Sequence, residues 1–517
     1  MEKKKITRRD FMKYSTVGLA GAYMGLKSST ADAGHGYMGG GGGGMGGAGS
    51  TSVIDPPRGA LLIDPPPLNS DASGFFNLEA KIAQINVNGT WANLLTYNGF
   101  YPAQTINIAK GEHLKIRLKN SLSMLGTNML GHDRDITNLH THGLHVSPSG
   151  NADNMMTMLM SGDTWEYDYG VLNQEPSSIN FYHPHIHGSV AEQYWGGMAG
   201  TINIADEITA LSEFETHILF IKDITLSGSV PEPYTMMMDF MHGKEGDTVM
   251  LNGLVNPVLP IRPGEVQRWR IINACNARFL KLSLENHALY VIGTEGGLLD
   301  KPYPMSSILL SPGERVDILV KASLTKSYYR FLSLPYSRMG NMSGQQVTLM
   351  TIDDRGSRVS DGIPSVINPV AARINPMPMK TEQLTLSMGQ GRGYINGISF
   401  EMLSDGTMRS AEIHSMLGTY EVWEIFNNSG MDHPFHQHVN SCQVLSISGG
   451  DSGYASFYTK VPAWKDVVVI PKWGSAKILV PVMDFDGMGM FHCHIVEHED
   501  IGMMGVWHIM NEGDMPM

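Results

Sequence analysis

The stretch Gly111-Glu112-His113-Leu114-Lys115-Ile116-Arg117-Leu118-Lys119-Asn120 decides the reading of this chain. Leu114, Ile116 and Leu118 alternate with polar residues, which is the period of a strand with one buried face. A glycine opens the run and an asparagine closes it, and both residue types suit turns. The frame returns as Gly264-Glu265 through Arg268-Trp269-Arg270-Ile271-Ile272-Asn273. It returns again as Gly418 through Val422-Trp423-Glu424-Ile425-Phe426-Asn427. The copies begin about 150 residues apart, the size of a domain, so three copies of one domain are expected rather than a solenoid. Ile202 and Ile204, and Val316, Ile318 and Val320, alternate in the same way. Gly, Pro and Asn punctuate these short runs, and no long helical period occurs. The pattern predicts an all-β chain of antiparallel β-sandwiches in tandem.

Composition narrows the function. At 517 residues the chain is long enough for several hydrophobic cores. With 42% apolar and 17% charged residues, its body is not a disordered solvating chain. A net charge of −13 argues against a general nucleic-acid binder. Three cysteines cannot staple a secreted fold. The 36 Met and 20 His are soft and borderline ligands, which brings copper forward before any motif is read.

The N-terminus reads as an address. Lys3-Lys4-Lys5 and Arg8-Arg9 precede a short apolar stretch from about Ser15 to Leu26 and the small-residue cut pattern Ala31-Asp32-Ala33. Arg8 and Arg9 followed by Phe11 and Lys13 resemble a twin-arginine signal, so residues 1–33 are expected to be removed by that export machinery and the mature protein to be periplasmic. No later run is long and apolar enough to insert in a membrane. Gly34 to Ser50 is a glycine tract with His35, Tyr37, Met38 and Met45. Residues 34–74 are read as a flexible tail and lead-in, stiffened at Pro56-Pro57 and Pro65-Pro66-Pro67.

Histidines come in pairs: His140/His142, His183/His185, His436/His438 and His492/His494. Residues i and i+2 of a strand share a face, so each pair offers two imidazoles to one side. One such pair is commonly an accident. Four pairs, two in the first repeat and two in the third, supply enough nitrogen donors for three coppers if those domains meet. Zinc seldom needs a cluster of this size. The last pair encloses Cys493, which alternation sends to the opposite face. There it can join His433, His498 and Met503 in a blue-copper set of two imidazoles, one thiolate and one weak thioether.

Residues 140–145 (HTHGLH), 181–188 (FYHPHIHG), 433–438 (HPFHQH) and 491–504 (FHCHIVEHEDIGMM) resemble the four copper-binding signatures of three-domain multicopper oxidases, in family order. The first carries Thr141 where tryptophan is usual, without losing a ligand. The resemblance spans about residues 75–512. It implies cupredoxin-like Greek-key domains at 75–207, 208–375 and 376–517, and four copper ions. By position, His433, Cys493, His498 and Met503 hold type 1 copper, and His140 and His436 hold type 2. His142, His183, His185, His438, His492 and His494 hold the type 3 pair. His187 extends the second pair at a position that is not a ligand in the family. Glu499 matches the proton-relay glutamate, and Asp153 sits where the family places another acid. Cys275, where relatives carry serine, and Cys442 are read as buried residues, with a disulfide between them left open.

The implied reaction couples one-electron oxidation of a reductant to four-electron reduction of O2. Methionine clusters at 155–160, 236–241, 377–379 and 488–490 suggest Cu(I) as reductant and a role in copper tolerance. The ending His-Glu-Asp-Ile-Gly-Met-Met and Ala463-Trp464-Lys465-Asp466 resemble bacterial copper-efflux oxidases, and Met431 matches a substrate-copper methionine there. Ser429 replaces an expected aspartate, and a long Met/His-rich insertion after Met388 is missing. Alternatives are a laccase for phenols or aromatic amines, a manganese oxidase, and a non-enzymatic copper store.

Overall fold

In a computed structural model, residues 59–513 are described, apart from 176, 206, 207, 209, 341–343, 404, 405 and 512. Residues 1–33, read as an export signal, the glycine tract and Pro56-Pro57 lie outside the described residues.

The three repeats become the strands His113–Asn120, Val266–Asn273 and Thr419–Asn427. Each runs parallel to the first long strand of its copy (Phe75–Val87, Glu215–Ile224 or Lys380–Gly389). Each also runs antiparallel to a later one (Thr164–Val171, Arg315–Lys321 or Ser475–Val482). The opening glycines sit at φ of +82°, +80° and +81°, a left-handed conformation that a Cβ penalises. The closing asparagines act as staples. Asn120, Asn273 and Asn427 each donate from Nδ2 to two backbone carbonyls, at 2.6–3.0 Å. Each accepts at Oδ1 from the N–H two residues on. One buried side chain thus replaces the ladder bonds lost where a strand ends.

The larger sheets form three successive pairs: four and five strands, six and five, then five and five. The all-β tandem architecture is therefore as expected. The purely antiparallel expectation is corrected, because parallel neighbours occur in every pair. Between two parallel strands the chain crosses to the opposite sheet and back, the crossover that parallel pairing requires. Among the described residues the helices are short: Val190–Trp195, Met237–His242, Ser452–Tyr458 and Val496–Asp500. No helix among the described residues is long and apolar enough to cross a membrane.

One further expectation changes. The lead-in is not flexible over 59–74. Leu61 bridges Val258, Leu62 N donates to Val258 O at 2.8 Å, and Pro67–Leu68 pairs with Thr105 and Ile106. The segment occupies sheet edges that would otherwise leave backbone groups unpaired. Cys275 and Cys442 are buried, as expected, and the pairing left open is settled as two free thiols.

Arg315, on the second copy's strand Arg315–Lys321, ties all three sandwiches together. It donates to Ile179 O in the first copy at 2.9 Å, and through both terminal nitrogens to the Asp466 carboxylate in the third at 2.6 Å. Gly143, at φ +88°, makes room, since a Cβ there would stand 2.1 Å from Arg315 Nη2. Nearby, Lys465 Nζ bonds Glu295 at 2.8 Å and Glu314 at 2.6 Å, joining the third copy to the second.

Asn273→Ala strands two carbonyls and one N–H and should cost about 2–4 kcal/mol. Gly111→Ala faces open space and should cost only about 1–2 kcal/mol, from backbone strain. Denaturant-unfolding midpoints of the two variants should fall in that order.

Candidate metal centre

The strand Gly487–Cys493 lies between His433–Gln437 and Met504–Met510. Cys493 Sγ lies 3.4 Å from Nδ1 of His433 and 3.4 Å from Nδ1 of His498, and those nitrogens are 3.2 Å apart. The centre of such a triangle is about 2 Å from each corner, close to first-row metal–ligand distances. His498 Nε2 lies 3.3 Å from Met241 O, an atom that only accepts, so Nε2 carries the hydrogen and Nδ1 keeps its lone pair for the centre. Ser429 Oγ, 2.8 Å from His433 Nε2, holds the other ring. Burial pushes His433 down to about 3 and raises the Cys493 thiol. The rings are neutral, and a cation is what draws the proton off such a thiol. Met503 is fully buried beside them, its N bonded to His498 O at 2.8 Å and its O to Cys493 N at 3.1 Å.

On the other face, His492 and His494 meet the remaining pairs. Eight imidazoles from the first and third copies converge, each at most 3% exposed. The rings of His142 and His436 stack at 3.8 Å, and those of His140 and His438 at 4.1 Å. Outer acceptors again fix the hydrogens. His140 Nδ1 bonds Asp153 at 2.8 Å, and His436 Nδ1 bonds Asp466 O at 2.8 Å. Their Nε2 atoms then face each other, lone pair to lone pair, at 3.4 Å. His492 Nδ1 is committed to Cys493 O, so its Nε2 brings a lone pair to His185 Nε2 at 3.1 Å and His438 Nε2 at 3.2 Å. His142 donates from Nε2 to Asp466 and turns Nδ1 to His494 Nε2 at 3.1 Å. His183 Nδ1 is committed to Pro184 O, which leaves its buried Nε2 without a partner. Burial, then repulsion among the rings, holds His142, His183 and His185 far below the usual imidazole range. The same holds for His436, His438 and His492. Converging lone pairs on neutral rings form a donor set that fits copper.

The acids take two positions. Asp153 is a buried acceptor that also bonds Thr141 N at 2.8 Å and Thr141 Oγ1 at 3.0 Å, so the departure at Thr141 gains a hydrogen bond. Glu499 is fully buried, with Oε1 3.3 Å from His185 Nδ1 and Oε2 3.3 Å from His492 Nδ1, neither directed well enough to be a hydrogen bond. Burial, then Asp500, holds its carboxyl well above the ordinary range. Sequence reasoning gave no role to Asp466, although its segment stood out. Contact with His142, His436 and Arg315 exists only after folding. Nor did it single out Asp500, whose carboxylate caps Val190–Trp195 by accepting from Gly188 N at 2.7 Å and Ala191 N at 2.8 Å. His187 stays outside the cluster, against His132 and Phe400.

Models of multicopper oxidase domains match residues 79–208, 224–354 and 376–513. The chain belongs to the multicopper oxidase family. It is 29% identical over 460 residues to a multicopper oxidase of Staphylococcus haemolyticus, covering 85% of this chain and 90% of that protein. It is 26% identical to a laccase of Bacillus subtilis, covering 79% and 88%. Among solved structures, a Campylobacter jejuni multicopper oxidase described as a metallo-oxidase superposes with a TM-score of 0.75 at 26% identity, over 88% of this chain and 96% of that one. The oxidase thus carries copper and uses O2 with a reducing substrate.

Outer-sphere partners of metal-binding histidines typically contribute 10–100-fold in affinity. Asp153→Ala should therefore raise the copper concentration needed for full loading by about that factor, read by metal content after dialysis against graded free copper.

Proposed function

We propose that this oxidase takes electrons from Cu(I) and spends them on O2, in the balance 4 Cu(I) + O2 + 4 H+ giving 4 Cu(II) + 2 H2O. In this reading four resident coppers are held. One, of type 1, is bound by His433, Cys493, His498 and Met503. One, of type 2, is bound by His140 and His436. A type 3 pair is bound by His142, His183, His185, His438, His492 and His494. When bound there, such ions would supply one-electron acceptance from the reductant and four-electron delivery to O2. The chain's part is to hold, connect and protonate. The tripeptide His492-Cys493-His494 is a bonded route between the two faces of one strand. Asp153 orients His140. Glu499, between His185 and His492, hands protons to the reduced oxygen.

The observation that supports Cu(I) is the closed outer edge of the Cys493 site. His433 and His498 are fully buried, and their outer nitrogens are taken by Ser429 and Met241. The helix Met237–His242 supplies Met241, so an aromatic ring has no imidazole edge to touch. A bare ion needs only soft ligands; Met237 and Met241 on this helix and Met388 pack against one apolar cluster, while Met431 lies buried two residues before His433. A laccase reading is favoured by a different observation. No carboxylate stands at Ser429, and Arg338 Nη1 lies 2.8 Å from Met431 Sδ, a fixed cation that repels a cuprous ion. Export through the twin-arginine route to the periplasm, a role in copper tolerance, and domain limits at 75–207, 208–375 and 376–517 belong to the same proposal.

Oxygen uptake decides between the readings. Cu(I) should drive it, and a phenol without added copper should drive it poorly; the reverse order makes the protein a laccase. Met431→Ala should raise KM for Cu(I) about tenfold or more, the loss of roughly 1.4 kcal/mol of binding, without lowering phenol turnover. Cys493→Ser should yield a colourless protein short of one copper per chain; an unchanged blue colour removes Cys493 from the type 1 site.

A further inference from the structure

Eight fully enclosed imidazoles pose a supply problem: copper must reach them through a folded protein. One of the eight, His185, borders a cavity. A cavity of about 360 Å³ has His185 in its lining, together with Met155, Met402, Met490, Met504 and His187. Methionine supplies six of its ten apolar lining residues, beside Ile136, Ile186, Phe400 and Leu403. Met155, Met490 and Met504 are buried with Phe400 and Val506, and Met402, Met408 and Met488 pack against them. A core that only needed filling has no reason to concentrate thioethers, whose flexible chains define packing poorly.

The imidazoles at this wall are built in. His187 stands edge-on to His132, with ring centres 5.5 Å apart, and its Nδ1 is buried without a hydrogen-bond partner. Asn128 fixes His132 by accepting from its backbone N–H at 3.0 Å, and donates to Gly188 O at 2.6 Å. A Cβ at Gly188 would stand 2.2 Å from the His132 ring, so glycine is required there. A second cavity of about 320 Å³ shares His132, His187, Phe400 and Met402 with the first. At the rims, Met129 is 42% and Met158 59% exposed, so thioethers run from the surface to the cluster.

We propose that this thioether–imidazole pocket is a cuprous-ion site, separate from the Cys493 face, and the port through which copper enters the histidine cluster by way of His185. The proposal rests on the copper reading of the cluster. Thioethers favour Cu(I) over Cu(II) and over zinc, and the unpartnered His187 nitrogen supplies the stronger donor. Transfer to His185 needs no change of oxidation state, only exchange of soft ligands for imidazole.

The test uses the full chain stripped of metal, under anaerobic conditions, with Cu(I) presented in a chromophoric cuprous chelator. Met155→Leu, Met402→Leu and Met490→Leu are combined, since leucine conserves volume and removes sulfur. The triple variant should bind one Cu(I) fewer, lose sulfur scattering in X-ray absorption, and fill the cluster at least tenfold more slowly, yet match the parent in colour and oxygen uptake once filled. A triple variant that binds as many ions overturns the proposal, and so does one that loses the ion but loads at the parent rate. Adding Cys493→Ser and Met431→Ala to the parent separates this from the catalytic reading. The pocket ion should persist there, and its loss overturns a separate site; a parent whose pocket and cluster both fill at the expected rate, yet in which Cu(I) drives no oxygen uptake, sinks the catalytic reading alone.

Discussion

Backbone carbonyls and carboxylates that can only accept decide which nitrogen of each histidine bears the hydrogen. That single constraint aims the lone pairs of this protein inward. Asp153, Pro184 O and Cys493 O each take one N–H, Asp466 takes two through its carboxylate and its backbone oxygen, and the opposite nitrogens of His140, His142, His436, His183 and His492 are left to converge. Neutral rings facing each other lone pair to lone pair in a dry space repel one another, and a shared cation turns the repulsion into ligation. The rest of the architecture serves to hold two such faces together.

The holding is done by the middle copy, which contributes no copper-binding signature. Arg315 reaches the first sandwich through Ile179 O and the third through Asp466, and Asp466 in turn touches His142 and His436. One guanidinium thereby links interdomain packing to imidazole orientation. Burying such a pair is costly unless geometry is good, and the two-pronged bond with Gly143 cleared away supplies that geometry.

Both faces of the third-copy strand are closed for different ends. Towards the cluster, closure keeps water from the neutral rings. Towards Cys493, the helix Met237–His242 and Ser429 cap both imidazoles, and the proposal of a cuprous reductant rests on that closure. Arg338 beside Met431 argues the other way, since a fixed cation repels a cuprous ion.

Much of this was legible before folding. Period-two alternation and a thrice-repeated glycine-to-asparagine frame mark the sandwiches, because a strand's faces and a strand-end staple are local properties. The His-x-His pairs and Cys493 between two of them were legible for the same reason: i and i+2 share a face whatever the partner. What sequence could not give was set by contacts between residues hundreds of positions apart. Asp466 and Arg315 carry no local pattern, and Asp500 becomes a cap only when the first copy's helix arrives. Parallel neighbours within each sandwich depend on which sheet the chain crosses to. The thioether wall beside His185 joins residues near 155, 402 and 490. Sequence by itself determined which atoms could bind copper, since donor chemistry and strand period are local; the tertiary structure alone decided which lone pairs meet, because that depends on the long-range acceptors that fix each tautomer.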